Sequence, residues 1–364
     1  MIIQNIISTL TQWAPPSYQE SYDNTGLITG SADWDCTGVM CTLDATEQVV
    51  QEAIDTKCNL LVAHHPIVFK GLKSLSGSGY VERAIVKAIK NDIAIYAIHT
   101  NLDNVLHGVN AAIAGKLNLQ QPKILLPKDG LLCKLFTYAP VAEADKIKNA
   151  LFDAGAGKIG LYHECSFAVN GTGSFKPTEG TRPFIGTINQ REELAETKIE
   201  VIFSAHLHSV ILKALFAAHP YETVAYEIVR LENTYDEVGS GLIGTLEQAM
   251  PENEFLALIK DAFHVPYVRH TPLLDKNVKR VAVCGGSGSF LTKKAIGAGA
   301  DVFLTADLKY HEFFEADNRV LLVDIGHWES EQFTIDLIAI FLQQNFPTFA
   351  ILKTGVYTNP VRYK

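Results

Sequence analysis

The stretch Arg319-Val-Leu-Leu-Val-Asp-Ile-Gly-His-Trp-Glu-Ser-Glu331 carries an apolar run straight into a polar cluster. Within the cluster His327 and Glu331 stand four residues apart. On a helix that spacing puts both side chains on one face, where two ligands could grip one metal ion. Ordinary solvated helix faces show the same spacing, so the pair alone does not choose between the two. Three further runs repeat the form: Cys58-Asn-Leu-Leu-Val-Ala-His64-His65-Pro66, Asp92-Ile-Ala-Ile-Tyr-Ala-Ile-His99-Thr-Asn-Leu-Asp103 and Ala300-Asp-Val-Phe-Leu-Thr-Ala-Asp307-Leu-Lys-Tyr-His311. Continuous apolar runs alternating with helical patterns mark central strands of a parallel or mixed sheet covered on both faces. Ligand sites in such sheets lie beyond the carboxyl ends of the strands. The pattern predicts an α/β fold whose strands deliver histidines and carboxylates to one edge.

Composition narrows the function classes. The 364 residues suffice for two or three domains, and 47% hydrophobic with 20% charged residues is ordinary for a globular chain. A formal net charge of −9 argues against a nucleic-acid or anionic-membrane binder, whose affinity rests on many Lys and Arg contacts to phosphate. No apolar run approaches the roughly 20 residues of a membrane span. The first basic residue is Lys57, so the amino terminus lacks the charged region of a signal peptide. The cysteines Cys36, Cys41, Cys58, Cys133, Cys165 and Cys284 show no Cys-x-x-Cys spacing and read as free thiols of a reducing compartment. The expectation is a cytoplasmic protein without membrane or stable nucleic-acid partners.

In chain order, Ile3, Ile6, Ile7, Leu10 and Trp13 fall at helical spacing, and Pro15-Pro16 ends that helix. Asp23-Asn-Thr-Gly-Leu27 is a plain loop or the wall of a site. A strand over 38–44 and a helix over 47–56, capped by Thr46, come next. In a regular strand His64 and His65 would point to opposite faces, one into the core; Pro66 ends that regularity and leaves both free to turn to one site. The loop from Phe69 to Gly79 is either mobile or a phosphate cradle using Lys70 and Lys73. On residue type alone Asp103 reads as a turn aspartate bonding its own backbone.

Between about Lys123 and Asn233 the character changes. A strand over 131–138, a helix over 142–154, a hairpin region over 165–175 closed by a turn at 176–180, a strand at 200–203, a helix over 209–218 and a strand over 223–231 succeed one another. This is the ferredoxin-like alternation, so residues 126–233 are expected to form an α+β domain inserted into a discontinuous core of 1–125 and 234–364. Its histidines, His206, His208 and His219, lack matching carboxylate spacing and stay outside the expected site. Farther on, Gly239-Ser-Gly-Leu-Ile-Gly244 reads as a glycine-rich opening. The glycine turn at 285–288 either cradles an anion or simply joins strand to helix. The outer segments share one alternation, as though the core were two similar α/β halves with a cleft between them.

Six ordered motifs span both outer segments: Asp23-Asn-Thr-Gly-Leu27, His64-His65-Pro66, His99-Thr-Asn-Leu-Asp103, Val238-Gly-Ser-Gly241, Asp307-Leu-Lys-Tyr-His311 and Gly326-His-Trp-Glu-Ser-Glu331. Together they resemble the GTP cyclohydrolase I type 2 homologues, also called NGG-one-interacting-factor-three-like proteins. Ala306 stands where that family usually has glycine, and His107 where it usually has a glycine pair; neither is a ligand position. The resemblance implies a dinuclear divalent-metal site on His64, His65, Asp103, His327 and Glu331, with Glu331 bridging. His64 and Asp103 would serve one ion, and His65 and His327 the other. It further implies that the insert is PII/CutA-like and that the protein forms a toroidal homohexamer.

Three imidazoles and two carboxylates suit borderline metals such as zinc, iron or manganese rather than calcium. Asp307 and His311 are candidates to relay a proton or to support the ligands from behind. Two functions stand open. One is a metal-dependent hydrolase of a nucleotide-like or other ring C–N bond, with phosphates held by Lys70, Lys73 or the Gly285 loop. The other is a non-catalytic metal-binding or regulatory protein whose insert reads a small-molecule ligand or partner.

Overall fold

In the computed structural model, which describes residues 1–362, the four apolar runs supply interior strands of two sheets. The strands are β1 (Gly26–Thr29), β2 (Val39–Asp44), β3 (Leu60–His65), β4 (Ala94–Ala97), β5 (Gln120–Lys128), β6 (Leu132–Pro140), β7 (Ser166–Phe175) and β8 (Glu192–Ser204). They continue with β9 (Tyr226–Arg230), β10 (Tyr235–Pro251), β11 (Arg269–His270), β12 (Asn277–Ser287), β13 (Val302–Ala306), β14 (Leu321–Asp324) and β15 (Ile351–Lys353). The chain divides into two compact units: Met1–Pro127 together with Asp236–Lys364, and Lys128–Tyr235.

The first unit holds both sheets. One has the order β1-β4-β3-β2-β15, parallel from β4 to β15 with β1 antiparallel at its edge. Buried strand residues Met40, Leu61, Ala63 and Ile95 pack against Val49, Val50, Ile85 and Ala88, which come from the helices Glu47–Asp55 and Tyr80–Lys90. Each of the Val, Leu, Ile and Met side chains contributes about 1.5–3 kcal/mol when fully buried, and together with the alanines they fix the register. Asp44 lies opposite His65, and Ala63 opposite Ala97, so β2, β3 and β4 finish at one edge. Thr46 caps the first of these helices, its hydroxyl accepting from the Val49 N–H at 3.3 Å. The other sheet has the order β11-β14-β13-β12-β10-β5, with β12, β13 and β14 parallel, around a core that includes Ala282, Leu291, Phe303 and Leu322.

One sequence expectation changes here. The outer segments do not each build one sheet: β15, from the end of the chain, pairs with β2, and β5, from the first segment, joins the six-stranded sheet. The glycine-rich opening at 239–244 also takes a definite form, lying within the 17-residue strand β10. A Cβ on Gly239 would lie 2.1 Å from the Leu126 carbonyl oxygen, and one on Gly244 3.1 Å from that of Gln120. These glycines exist because another backbone passes too close for a side chain.

The second unit runs β6, helix Ala144–Asp153, β7, β8, helix His208–Ala218, β9, with an antiparallel sheet ordered β7-β8-β6-β9. Leu135, Ile147, Leu151, Ile199, Phe203, Ile211 and Leu215 fill its core. The expected turn at 176–180 opens a longer connection. β7 continues unbroken through Gly171 and Gly173, and Phe175 pairs with Glu192, so residues 176–191 form the connection. Strand β8 is likewise longer than the expected 200–203, with Ile199, Val201 and Phe203 buried on alternate positions. No helix among the described residues is long and apolar enough to cross a membrane.

Candidate metal centre

The carboxyl ends of the interior strands meet in the first unit. His64 and His65 close β3, and His99 follows β4 as the residue before the short helix Thr100–Asp103. His327 and Glu331 begin and end the helix His327–Glu331 just after β14. Two groups of three could each hold a metal ion, His64–Asp103–Glu331 and His65–His327–Glu331, and Glu331 is common to both. A third group, His64–His65–His99, brings in a histidine that the sequence reading left without a role. All five residues expected as ligands are therefore in one place.

Each imidazole is aimed from behind. The His64 Nδ1–H donates to the Ile98 carbonyl at 2.9 Å, which turns Nε2 to the centre. His65 Nδ1 donates to Asp44 Oδ1 at 2.8 Å, and His327 Nδ1 to Asp307 Oδ2 at 2.7 Å. His99 Nδ1 donates to Asp23 Oδ1 at 2.7 Å, and Asp23 Oδ2 accepts the Thr100 N–H at 3.0 Å. Such partners set the tautomer and orientation of ligating histidines.

Backbone positions are tied just as closely. Asp324 accepts the N–H groups of Leu308 and Gly326, each at 2.9 Å, and pairs with the Arg269 guanidinium, which holds together the turns bearing Asp307 and His327. The Gly286 N–H donates to Ser330 Oγ at 2.9 Å, and Ser330 Oγ–H to the His327 carbonyl at 2.7 Å. Gly286 has φ +59°, and a Cβ there would lie 2.4 Å from Glu331 Oε1, so only glycine fits. Asn110 links the halves of the centre, its Nδ2 donating to the Asp103 carbonyl at 3.0 Å and its Oδ1 accepting the Gly285 N–H at 2.9 Å.

The electrostatics divide the ring of ligands. Burial, partly offset by the Glu331 charge, drives His64 down to about 3, so it is neutral with a free lone pair on Nε2. Burial opposes the charge on His65 too, but its hydrogen bonds to Asp44 and Glu331 outweigh that and push it up to about 9. The Glu331 carboxylate, then the bond to Asp307, raises His327 to about 11. His65 Nε2 and His327 Nε2 both face Glu331 Oε2, at 2.9 and 3.1 Å, and stand 3.3 Å from each other. Burial also works against Glu331, yet the two imidazolium groups hold its carboxyl well below the usual range. Asp103 is raised instead, first by burial and then by the Glu331 charge.

In the other half of the centre two side-chain atoms stand without partners among the described residues. His64 Nε2 and Asp103 Oδ1 are buried without a hydrogen bond among the described residues, and they face each other at 3.6 Å. That distance exceeds a hydrogen bond, and each buried unpaired group costs about 1–3 kcal/mol. Two donors bound at about 2.1 Å to one tetrahedral ion stand roughly 3.4 Å apart. The donor set and spacing fit a divalent cation.

A cavity of about 370 Å³ opens onto His65, Asp103, His327 and Glu331, with Tyr22, Phe69 and Phe290 at its wall. None of its lining residues is Lys or Arg, so the expected phosphate grip by Lys70 and Lys73 is not built here, although Gly285 does line it. In the serine loop that follows, the hydroxyls of Ser74, Ser76 and Ser78 and the Ser78 N–H are bonded to Glu82 instead. Asp307 supports His327, but His311 is exposed against Tyr310 and Phe314 and bonds to no member of the cluster. The sequence reading missed Asp44, which ends an apolar run as the named ligands do, and left Asp23 in a plain loop or site wall without a partner.

The chain matches the family described as Duf34/NIF3 (NGG1p interacting factor 3) over residues 1–360. It belongs to that family. A Bacillus subtilis relative named GTP cyclohydrolase 1 type 2 homolog is 40% identical over 327 residues, 89% of this chain and 88% of that protein. A Staphylococcus epidermidis protein of the same name is 34% identical over 368 residues, the full length of both. Among solved structures, a Bacillus cereus protein related to NIF3 superposes with a TM-score of 0.88 at 35% identity, covering 100% of this chain and 99% of that one. Staphylococcus aureus protein SA1388 gives 0.80 at 30% identity, with coverage of 100% and 99%. The α/β architecture is thus that of a Duf34/NIF3 protein.

Proposed function

We propose that this centre holds two divalent ions, zinc, iron or manganese, and that the protein is a metal-dependent hydrolase of a ring C–N bond. The observation that carries the reading is the pair of buried lone-pair atoms, His64 Nε2 and Asp103 Oδ1, without hydrogen-bond partners among the described residues and beside an open cavity. By family resemblance His64 and Asp103 would hold one ion and His65 and His327 the other, and Glu331, which belongs to both groups of three, would serve both. A divalent pair supplies Lewis acidity and lowers the pKa of a bound water from 15.7 toward about 7.

The chain's own residues do the rest. Asp44 and Asp307 keep His65 and His327 turned inward, and Tyr22, Phe69 and Phe290 offer ring surfaces on which a flat substrate stacks and from which it displaces water. The relatives' name supports a ring C–N substrate. A lining without Lys or Arg favours recognition through the ring rather than through phosphates.

The β6-to-β9 unit is ferredoxin-like by its strand order and is read as PII/CutA-like, and the homohexamer rests on family resemblance. Six unpaired cysteines support a reducing, cytoplasmic setting. The test is to measure metal per chain and to screen nucleotide and cyclic-amide hydrolysis with wild type and Glu331→Ala. About two ions per chain and metal-dependent turnover lost in the variant support the enzyme. Bound metal with no turnover across the panel supports the second reading, a metal-binding regulatory protein, which a separate cavity in the insert favours.

A further inference from the structure

The insert contains a cavity of about 410 Å³ formed wholly by its own residues, between strand β7, the 176–191 connection and the segment leading into β9. Four aromatic residues line it, Tyr138, Phe175, Phe184 and Tyr221, and the Tyr221 ring stands 6.2 Å from Phe175 and 6.3 Å from Phe184, centroid to centroid. A carboxylate lies beside them. Glu196 Oε1 accepts the Tyr221 hydroxyl at 2.8 Å, and its Oε2 rests over Gly173, where a Cβ would come within 1.8 Å. Gly173 therefore leaves the space that the carboxylate occupies. His219 is buried below, its Nε2–H donating to the Tyr138 carbonyl at 3.0 Å and its Nδ1 accepting the Tyr221 N–H at 3.1 Å, which fixes the backbone at Tyr221.

The connection is held in place as well. The Asn189 N–H donates to the Pro177 carbonyl at 2.8 Å, and the Arg182 N–H to Glu222 Oε1 at 2.8 Å. Glu196 and Glu222 outnumber Lys176, the one cation of the lining.

We propose that this cavity binds a small organic cation, an alkylammonium or guanidinium compound, with its charge between the aromatic rings and the Glu196 carboxylate. Ring faces attract cations, and a carboxylate adds a charge-assisted partner. Neutral ligands of equal shape lose both contributions. The inference is independent of the metal centre.

The experiment uses the full-length chain and isothermal titration with choline, phenethylammonium and butylguanidinium, alongside 3,3-dimethylbutan-1-ol, the neutral isostere of choline. At least one cation is expected to bind saturably, and the isostere roughly tenfold or more weaker than choline if choline is the one bound. Glu196→Gln, which keeps a hydrogen-bond acceptor for Tyr221, should weaken cation binding by a similar factor with metal content unchanged. Phe184→Ala, which truncates an exposed ring, should weaken it without loss of folded circular dichroism. No saturable binding of any of the three cations at millimolar concentration overturns the proposal. So does an isostere that binds as well as choline, or cation affinity unchanged in both variants.

Discussion

Loading a divalent metal into chelator-treated protein should expel protons, in a number that the ligand environments set. His65 is pushed up to about 9 and His327 to about 11, so at pH 7 each imidazole carries a proton that must leave before its Nε2 can bind a metal. His64, driven down to about 3, contributes none. Filling both sites therefore releases at least about two protons per chain near neutrality, and Asp103, whose carboxyl is raised, adds to that count where it is protonated. Because protons compete with the metal, the overall affinity rises with pH. It changes by roughly 100-fold or more per pH unit between pH 6 and 8 and less steeply once His65 has titrated. Calorimetric titration in buffers of different ionisation enthalpy reads the proton count from the slope of heat against buffer enthalpy. A slope of zero between pH 6 and 8 would refute the reasoning, since it would mean the histidines facing Glu331 are already deprotonated.

Three further outcomes follow from the geometry. Asp44→Asn removes the carboxylate behind His65 and should weaken the second metal equivalent by about 10–100-fold; unchanged affinity in a chelator competition would remove Asp44 from the account. Gly286→Ala puts a methyl 2.4 Å from Glu331 Oε1, in a left-handed backbone, so it should cost about 1–3 kcal/mol in denaturant melts and strip metal from otherwise folded protein. Burial opposes the charge on Asp23, but the His99 hydrogen bond and charge lower it to about 2 from 3.8. It thus contributes about 2 kcal/mol of stability above pH 4 that is lost as pH falls toward 2. Chelator-treated Asp23→Asn should lack that part of the acid dependence, and an identical pH profile would contradict the assignment.

The parts of this site visible in the sequence were those written in short-range patterns. Buried parallel strands must be apolar on both faces, so β3, β4, β13 and β14 announce themselves as continuous runs, and their polar ends mark the edge where ligands gather. The four-residue spacing of His327 and Glu331 is legible because one helical turn enforces it. The partner histidines needed the family resemblance, because nothing local to His64-His65 says that Glu331 lies 2.9 Å from His65 Nε2. Asp23 and His99 are 76 residues apart, a pairing no periodicity encodes. β10 and β7 were obscured for another reason: their glycines answer a passing backbone and the Glu196 side chain, and a window of sequence cannot distinguish such glycines from those of a turn. His311, one turn beyond Asp307 by number, faces away because Asp307 takes a left-handed φ of +57° and the chain continues as a 3-10 segment.

The most direct measurement is anomalous diffraction from crystals of the metal-loaded protein. The account predicts two peaks roughly 3.5–4 Å apart, one between His64 and Asp103, the other between His65 and His327, with the Glu331 carboxylate reaching both. A single peak, or metal seated away from Glu331, would contradict it.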